Sequence, residues 1–185
     1  AKEKYKKQKK EKQPNIFRVK QAKRRKYMEG LIICRAEEKD IPTINKLLYE
    51  VHKVHSDARP DIFKKGAKKY TDEELKRIIK NNDSPVFVAK TDGDILGYAF
   101  CIHKQYLNDN NMTDIKTLYI DDLCVDETAR GKHIGTSLYE YVLKYAKEQG
   151  CYNVTLNVWA DNVNAVKFYE KIGLKIQKIG MEKIL

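Results

Sequence analysis

An apolar run from Leu118 to Val125 leads into a short turn, Arg130-Gly131-Lys132-His133-Ile134-Gly135-Thr136, which opens an amphipathic stretch with Ile134, Leu138, Val142 and Tyr145 on one side. Strand, glycine-bearing turn and helix in that order leave backbone N–H groups at a helix N-terminus, where no intrahelical acceptor exists and the helix dipole is positive. Such an end is a cradle for a diphosphate. Gly131 and Gly135 carry no side chain to hold phosphates away, and Arg130 and Lys132 add positive charge. The stretch is neither G-x-x-x-x-G-K-[ST] nor G-x-G-x-x-G, so neither nucleotide-loop fingerprint is present.

A second pattern lies downstream. Asn162-Val163-Asn164-Ala165-Val166-Lys167-Phe168-Tyr169-Glu170-Lys171-Ile172-Gly173 reads as a short helix, with Asp161 or Asn162 as N-cap and Gly173 as the residue past its end. Val154 to Trp159, β-branched and aromatic, reads as a strand between the two patterns. The chain here resembles the GNAT superfamily of acetyl-CoA-dependent N-acetyltransferases. The matching residues are Arg130-Gly131-x-x-Ile134-Gly135 and Asn162-x-x-Ala165-x-x-Phe168-Tyr169-x-x-x-Gly173, and the resemblance covers about Leu31 to Leu185.

The resemblance implies an α/β fold: a central, mostly antiparallel mixed sheet with helices on both faces and a splayed strand pair that holds acetyl-CoA. It implies that main-chain groups of Leu123, Cys124 and Val125 grip the pantetheine arm and thioester. The N–H groups of Arg130, Gly131, Lys132, His133, Ile134, Gly135 and Thr136 would take the diphosphate. Asn162 and Asn164 are the candidates for the arm's amides, one of them serving only as a helix cap. Tyr169 stands where the family places a phenol near the sulfur, and so would act as general acid. The acceptor would be a primary amine of a protein, peptide or small molecule, acetylated by direct attack in a ternary complex. The alternative is a catalytically weak acyl-CoA sensor or interaction module of the same fold.

Asp121 and Asp122 are adjacent carboxylates in an otherwise apolar strand. Burial or a neighbouring like charge would turn one into a useful base, or it only holds the cationic amine while water takes the proton, or it is a strand-end acid that pairs a lysine or a loop N–H. Neighbours on a regular strand face opposite ways, so the expectation is that only one faces the cleft. The other polar candidates, His52, His55, Asp57, Arg59 and Tyr70, fall in or beside a polar loop from Ser56 to Tyr70 that would contact the acceptor.

Elsewhere the elements follow from local signals. Leu31–Arg35 is a first strand, and Asp40 caps a helix bearing Ile41, Ile44, Leu48 and Val51. Thr71-Asp72-Glu73-Glu74 is a capping-box start. Asp92-Gly93 joins two strands as a hairpin, a long strand runs from Ile115 to Val125, and Leu174–Gln177 with Met181–Leu185 form a terminal pair around Gly180.

Charge divides the chain into residues 1–29 and the domain, residues 30–185. The first part holds thirteen basic and three acidic residues, so +10 of the formal +11 falls there. With so few apolar residues it builds no core, and it reads as a flexible extension or, with Met28 as the natural start, an appendage. Nucleic acid or ribosome would be contacted only through it, and it lacks the interleaved aromatics of a base-stacking surface. Cys34, Cys101, Cys124 and Cys151 are widely spaced, with no metal-ligand spacing, and read as reduced thiols in a cytoplasmic protein without a metal. No apolar run of membrane-spanning length occurs, so no membrane partner is expected, and a homodimer is compatible with this reading. Salt-sensitive RNA binding that disappears on deletion of residues 1–29 would identify the extension as a nucleic-acid arm; unchanged binding would refute that role.

Overall fold

The computed structural model describes residues 30–185; the basic extension lies outside the described residues. Five strands form one sheet in the order β1-β2-β3-β4-β5. They are β1 (Ile32–Arg35), β2 (Val86–Thr91), β3 (Asp94–Lys104), β4 (Thr117–Val125) and β5 (Asn153–Leu156). The first four are antiparallel neighbours, and β5 runs parallel to β4. Helices α1 (Ile41–Ala58) and α2 (Asp72–Lys80) precede β2, α3 (Ile134–Glu148) makes the crossover from β4 to β5, and α4 (Val163–Lys171) follows. Among the described residues, no helix is long and apolar enough to cross a membrane.

The sheet is buried on both faces. Val86, Val88, Tyr98, Phe100 and Cys124 pack against Ile44, Leu47 and Leu48 of α1 and Leu75 and Ile79 of α2. Phe87, Ala89, Ala99, Cys101, Leu118 and Ile120 pack against Ile134, Leu138 and Val142 of α3. Successive strand residues alternate between these two cores, which explains why the strands read as continuous apolar runs.

Several local signals act as the residue types require. Thr71 Oγ1 accepts from the Glu74 N–H (3.2 Å) while the Glu74 carboxylate accepts from the Thr71 N–H (2.7 Å), so the capping box forms. Asp92 and Gly93 turn the β2–β3 hairpin with φ of 50° and 89°. Asp40 precedes α1 but does not cap its first turn. Its carboxylate accepts from the Glu37 N–H (2.9 Å) and from Lys90 Nζ (2.9 Å), tying the helix entry to β2.

Other boundaries differ from the sequence reading. Helix α1 runs through Ser56 to Ala58, where Arg59-Pro60 stops it, so the loop starts at Arg59. Strand β4 begins at Thr117, and β5 ends at Leu156 instead of Trp159. The terminal pair does not form: residues 174–185 contain no strand, and Ile176, Ile179, Met181, Ile184 and Leu185 are exposed. A pair with no face to bury is marginal on its own.

Two irregularities of β4 position everything that follows. Phe100 pairs with Asp122 and Cys101 with Ile120, so Asp121 is an extra residue, a β-bulge. Pairing of β4 with β5 runs from Thr117↔Asn153 to Ile120↔Leu156 and stops there, although β4 continues to Val125. The strands therefore part at the bulge. Close approach of β3 and β4 just beyond it depends on Gly97, where an added Cβ would lie 2.7 Å from the Cys124 carbonyl oxygen and 3.2 Å from a Leu138 methyl. Gly97→Ala is expected to destabilise the fold by about 1–3 kcal/mol, seen as a lower urea midpoint at unchanged slope. An unchanged midpoint would contradict that contact.

Candidate active site

The turn after β4 is organised by Asp126. Its carboxylate accepts from the Thr128 N–H (2.9 Å) and hydroxyl (2.6 Å), opening a short 3-10 turn at Glu127–Ala129. Lys46 of α1 donates to it at 2.8 Å, and that contact comes first among those holding the carboxyl down to about 2. Gly131 then adopts φ 76° with no atom within 4 Å of where a Cβ would stand, and His133 enters the left-handed region at φ 65°. Helix α3 starts at Ile134 with His133 as N-cap, and no side chain caps it. The first-turn N–H groups of Ile134, Gly135 and Thr136 thus have no intrahelical acceptor, and the approach past Gly131 is open. Such an end suits a diphosphate.

Packing gives Gly135 a further reason for its identity beyond the one its sequence position suggests. An added Cβ would meet the Phe168 ring at 3.3 Å and Val125 Cγ2 at 3.5 Å. Its missing side chain lets α3 sit close to α4 and the end of β4.

The bulge corrects the expectation for the two carboxylates. Both face the α1/α2 side of the sheet. Asp121 Oδ2 accepts from the Tyr70 hydroxyl and from Lys69 Nζ (2.7 Å), while Asp122 Oδ2 accepts from the Tyr98 hydroxyl (2.9 Å). The two phenol rings flank one residue: Tyr70 stacks on Phe100 at 5.4 Å, and Tyr98 meets it edge-on at 5.0 Å. The extra residue at Asp121 cancels one step of strand alternation, so two neighbours share a face.

Burial then separates the roles of these groups. It pushes Asp122 up to about 6, against the opposing pull of the Lys69 charge and the Tyr98 hydrogen bond. Tyr98 and Tyr70 are raised by burial first, and Tyr70 further by the hydrogen bond to Asp121. Tyr169, on α4, is also raised by burial, with Asp122 and Cys124 adding to the effect. Its phenol therefore stays protonated within the electrostatic reach of a carboxylate able to take a proton near neutrality. Cys124 donates to the Leu47 carbonyl (3.6 Å), and burial pushes its thiol up to about 12.

Of the two asparagines, Asn162 is the helix cap, accepting from the Ala165 N–H at 3.2 Å. Asn164 lies with Asn162 on a cavity of about 180 Å³ between α1 and α4, walled by Val54, His55, Phe63 and Trp159. Phe63 stacks on His55 (5.3 Å) and meets Trp159 edge-on (5.4 Å). Among the loop candidates only Tyr70 reaches the carboxylates. Asp57 pairs with Lys53, Arg59 with Asp61 and Glu182, and His52 contacts the Lys64 carbonyl. Lys69 and Tyr98 were missed by the sequence reading. Lys69 sits in a lysine-rich loop where no single residue stands out, and Tyr98 looks like any aromatic of a buried strand.

The chain matches the model of the acetyltransferase (GNAT) family over residues 48–174, and it belongs to that family. An uncharacterised N-acetyltransferase of Methanocaldococcus jannaschii is 28% identical over 112 residues, 60% of this chain and 48% of that protein. Glucosamine 6-phosphate N-acetyltransferase of Arabidopsis thaliana is 37% identical over 68 residues, 37% of this chain and 44% of that one. These matches span about half the length of either relative. Among solved structures, the BH1408 protein of Bacillus halodurans superposes with a TM-score of 0.80 at 32% identity, covering 83% of this chain and 99% of that one.

Asp122 carries a stability cost that a test of function can use. Its native pKa lies above the ordinary carboxylate value, so the stabilisation by its bound proton is lost as pH rises through about 6. Asp122→Asn is therefore expected to raise unfolding stability at pH 8 by about 1–3 kcal/mol, with the gain gone at pH 4. A pH-independent effect, or a loss at pH 8, would show that Asp122 is not held this way.

Proposed function

We propose that this chain transfers an acetyl group from acetyl-CoA to a primary amine by direct attack in a ternary complex. The observation that carries the reading is the parting of β4 from β5 on the strand that leads into an uncapped helix N-terminus, with two carboxylates at the parting and a buried phenol within electrostatic reach of Asp122. The chain's groups fit the cosubstrate on both counts that matter: an unpaired strand segment for the arm and open amides for the diphosphate.

When bound, acetyl-CoA supplies an acyl thioester activated towards amines. The main-chain groups of Leu123, Cys124 and Val125, past the last β5 partner, pair with the arm's amides. The N–H groups of Gly131 and of Ile134, Gly135 and Thr136 hold the diphosphate, with the charges of Arg130 and Lys132 beside them. Asn164 is free of the capping task that occupies Asn162 and so is the one left to bind the arm.

Asp122 Oδ takes the proton that the acceptor's ammonium must lose before attack, a task that suits a carboxyl poised near 6. Tyr98 and Asp121 orient that carboxylate and its surroundings. Tyr169 Oη keeps its proton and donates it where negative charge develops on sulfur. Cys124 is the thiol nearest this chemistry, and its protonated, hydrogen-bonded state argues against a covalent acyl-cysteine route. The relative named for glucosamine 6-phosphate supports a primary amine as the acceptor class.

Tyr169→Phe is expected to lower turnover roughly 10- to 100-fold while leaving acetyl-CoA affinity within about twofold, measured by thiol release and by calorimetry. The acid limb of kcat/KM should rise through about pH 6 in the wild type and vanish in Asp122→Asn. Failure of acetyl-CoA to bind, or unchanged turnover in both variants, would overturn the assignment.

A further inference from the structure

The carboxylate pair already holds a cation. Lys69 Nζ lies 2.7 Å from Asp121 Oδ2 and 3.2 Å from the Asp121 carbonyl oxygen. It also sits 5.5 Å from the centroid of the Tyr70 ring. Its charge is felt at Asp122 as well, where it opposes the effect of burial. Two carboxylates, a carbonyl and an aromatic face make a site for an ammonium group.

Lys69 differs from the residues that enclose it. Its side chain is 41% exposed whereas that of Asp121 is 16% exposed, so a partly solvated arm reaches down to a recessed acid. It sits on the segment 59–71, which is not part of a helix or strand and joins the end of α1 to the capping box of α2. Among the described residues, the hydrogen bonds of its ammonium all go to Asp121.

An acceptor amine arrives at neutral pH as an alkylammonium, with the same charge and the same donors as the lysine head. Two such cations cannot both sit on the Asp121 carboxylate without strong mutual repulsion at hydrogen-bonding separations. From this juxtaposition we infer that Lys69 is a tethered occupant of the acceptor's ammonium position, displaced with the segment 59–71 when substrate binds. The lysine then covers the carboxylate beside the base while the site is vacant. The acceptor it mimics is a primary amine on a flexible, unbranched aliphatic arm. This rests on the reading given above of Asp122 as the group that takes the acceptor's proton, and adds Asp121 beside it as the anchor for the ammonium.

The test uses n-butylamine as probe and the protein without cosubstrate, at pH 7, with binding followed by NMR titration. Lys69→Met keeps the length of the arm and removes its charge, and it should bind butylammonium roughly fivefold more tightly than the wild type. Lys65→Met, a change at an exposed lysine of the same loop, should leave affinity unaltered. Adding Asp121→Asn to Lys69→Met should abolish the gain. In turnover assays the KM for butylamine should fall by the same factor in Lys69→Met. Equal or weaker binding by Lys69→Met, or a gain that survives Asp121→Asn, would overturn the inference. A protein that binds butylammonium as described but never binds acetyl-CoA would refute the transferase reading and leave the role of Lys69 standing.

Discussion

One inserted residue governs the molecule. Asp121 has no partner on β3, and the ladder between β4 and β5 ends one residue before it, at Ile120↔Leu156. A regular strand would continue the ladder and close the sheet. With the bulge, β4 turns away, its last residues have no partner on β5, and the chain beyond Leu156 leaves the sheet. Asn157 marks the departure by donating to the Tyr119 hydroxyl at 3.2 Å. The same insertion brings Asp122 onto the face already occupied by Asp121. Cleft and chemistry thus have a common structural origin.

Placing two acids together beneath α1 and α2 is unfavourable unless each finds donors. The phenols of Tyr70 and Tyr98 supply them, and both rings lean on Phe100, which fixes where their hydroxyls point. Lys69 compensates charge at Asp121 but leaves Asp122 with a raised pKa. The result is asymmetric. One carboxylate is held by a cation and a phenol, and its neighbour is poised to exchange a proton near neutral pH, with the protonated phenol of Tyr169 within electrostatic reach. Such separation of proton affinities is what acid–base chemistry requires, and it comes at the expense of stability above pH 6.

Much of this was legible in residue order. The run into Arg130–Thr136, the Asn162–Gly173 pattern and the strand between them carried the family and the two-faced mixed sheet, because each is a local signal with its own capping or turn residues. The hairpin at Asp92-Gly93 and the box at Thr71–Glu74 were visible for the same reason. What escaped depends on register and on tertiary contact. Nothing in Tyr119-Ile120-Asp121-Asp122 announces a bulge, so the alternation rule predicted opposite faces where the fold gives one. The packing of Gly135 against Phe168 and Val125 could not be read from its place in the turn. The two segments around Gly180 suggested a terminal pair, but their apolar residues stay exposed and no strand forms. Lys69 was invisible because a lysine in a basic loop acquires meaning only from the acid it meets.

The central claim is that main-chain amides at the open end of β4 and at the start of α3 receive a nucleotide thiol arm and its diphosphate. Titration of the ¹⁵N-labelled protein with coenzyme A, read as chemical-shift changes and slowed amide exchange, tests it most directly. The account predicts that the largest effects fall on Leu123 to Val125 and on Gly131 to Thr136, with Asn164 joining them. Saturable binding whose perturbations lie elsewhere, leaving those amides untouched, would contradict it.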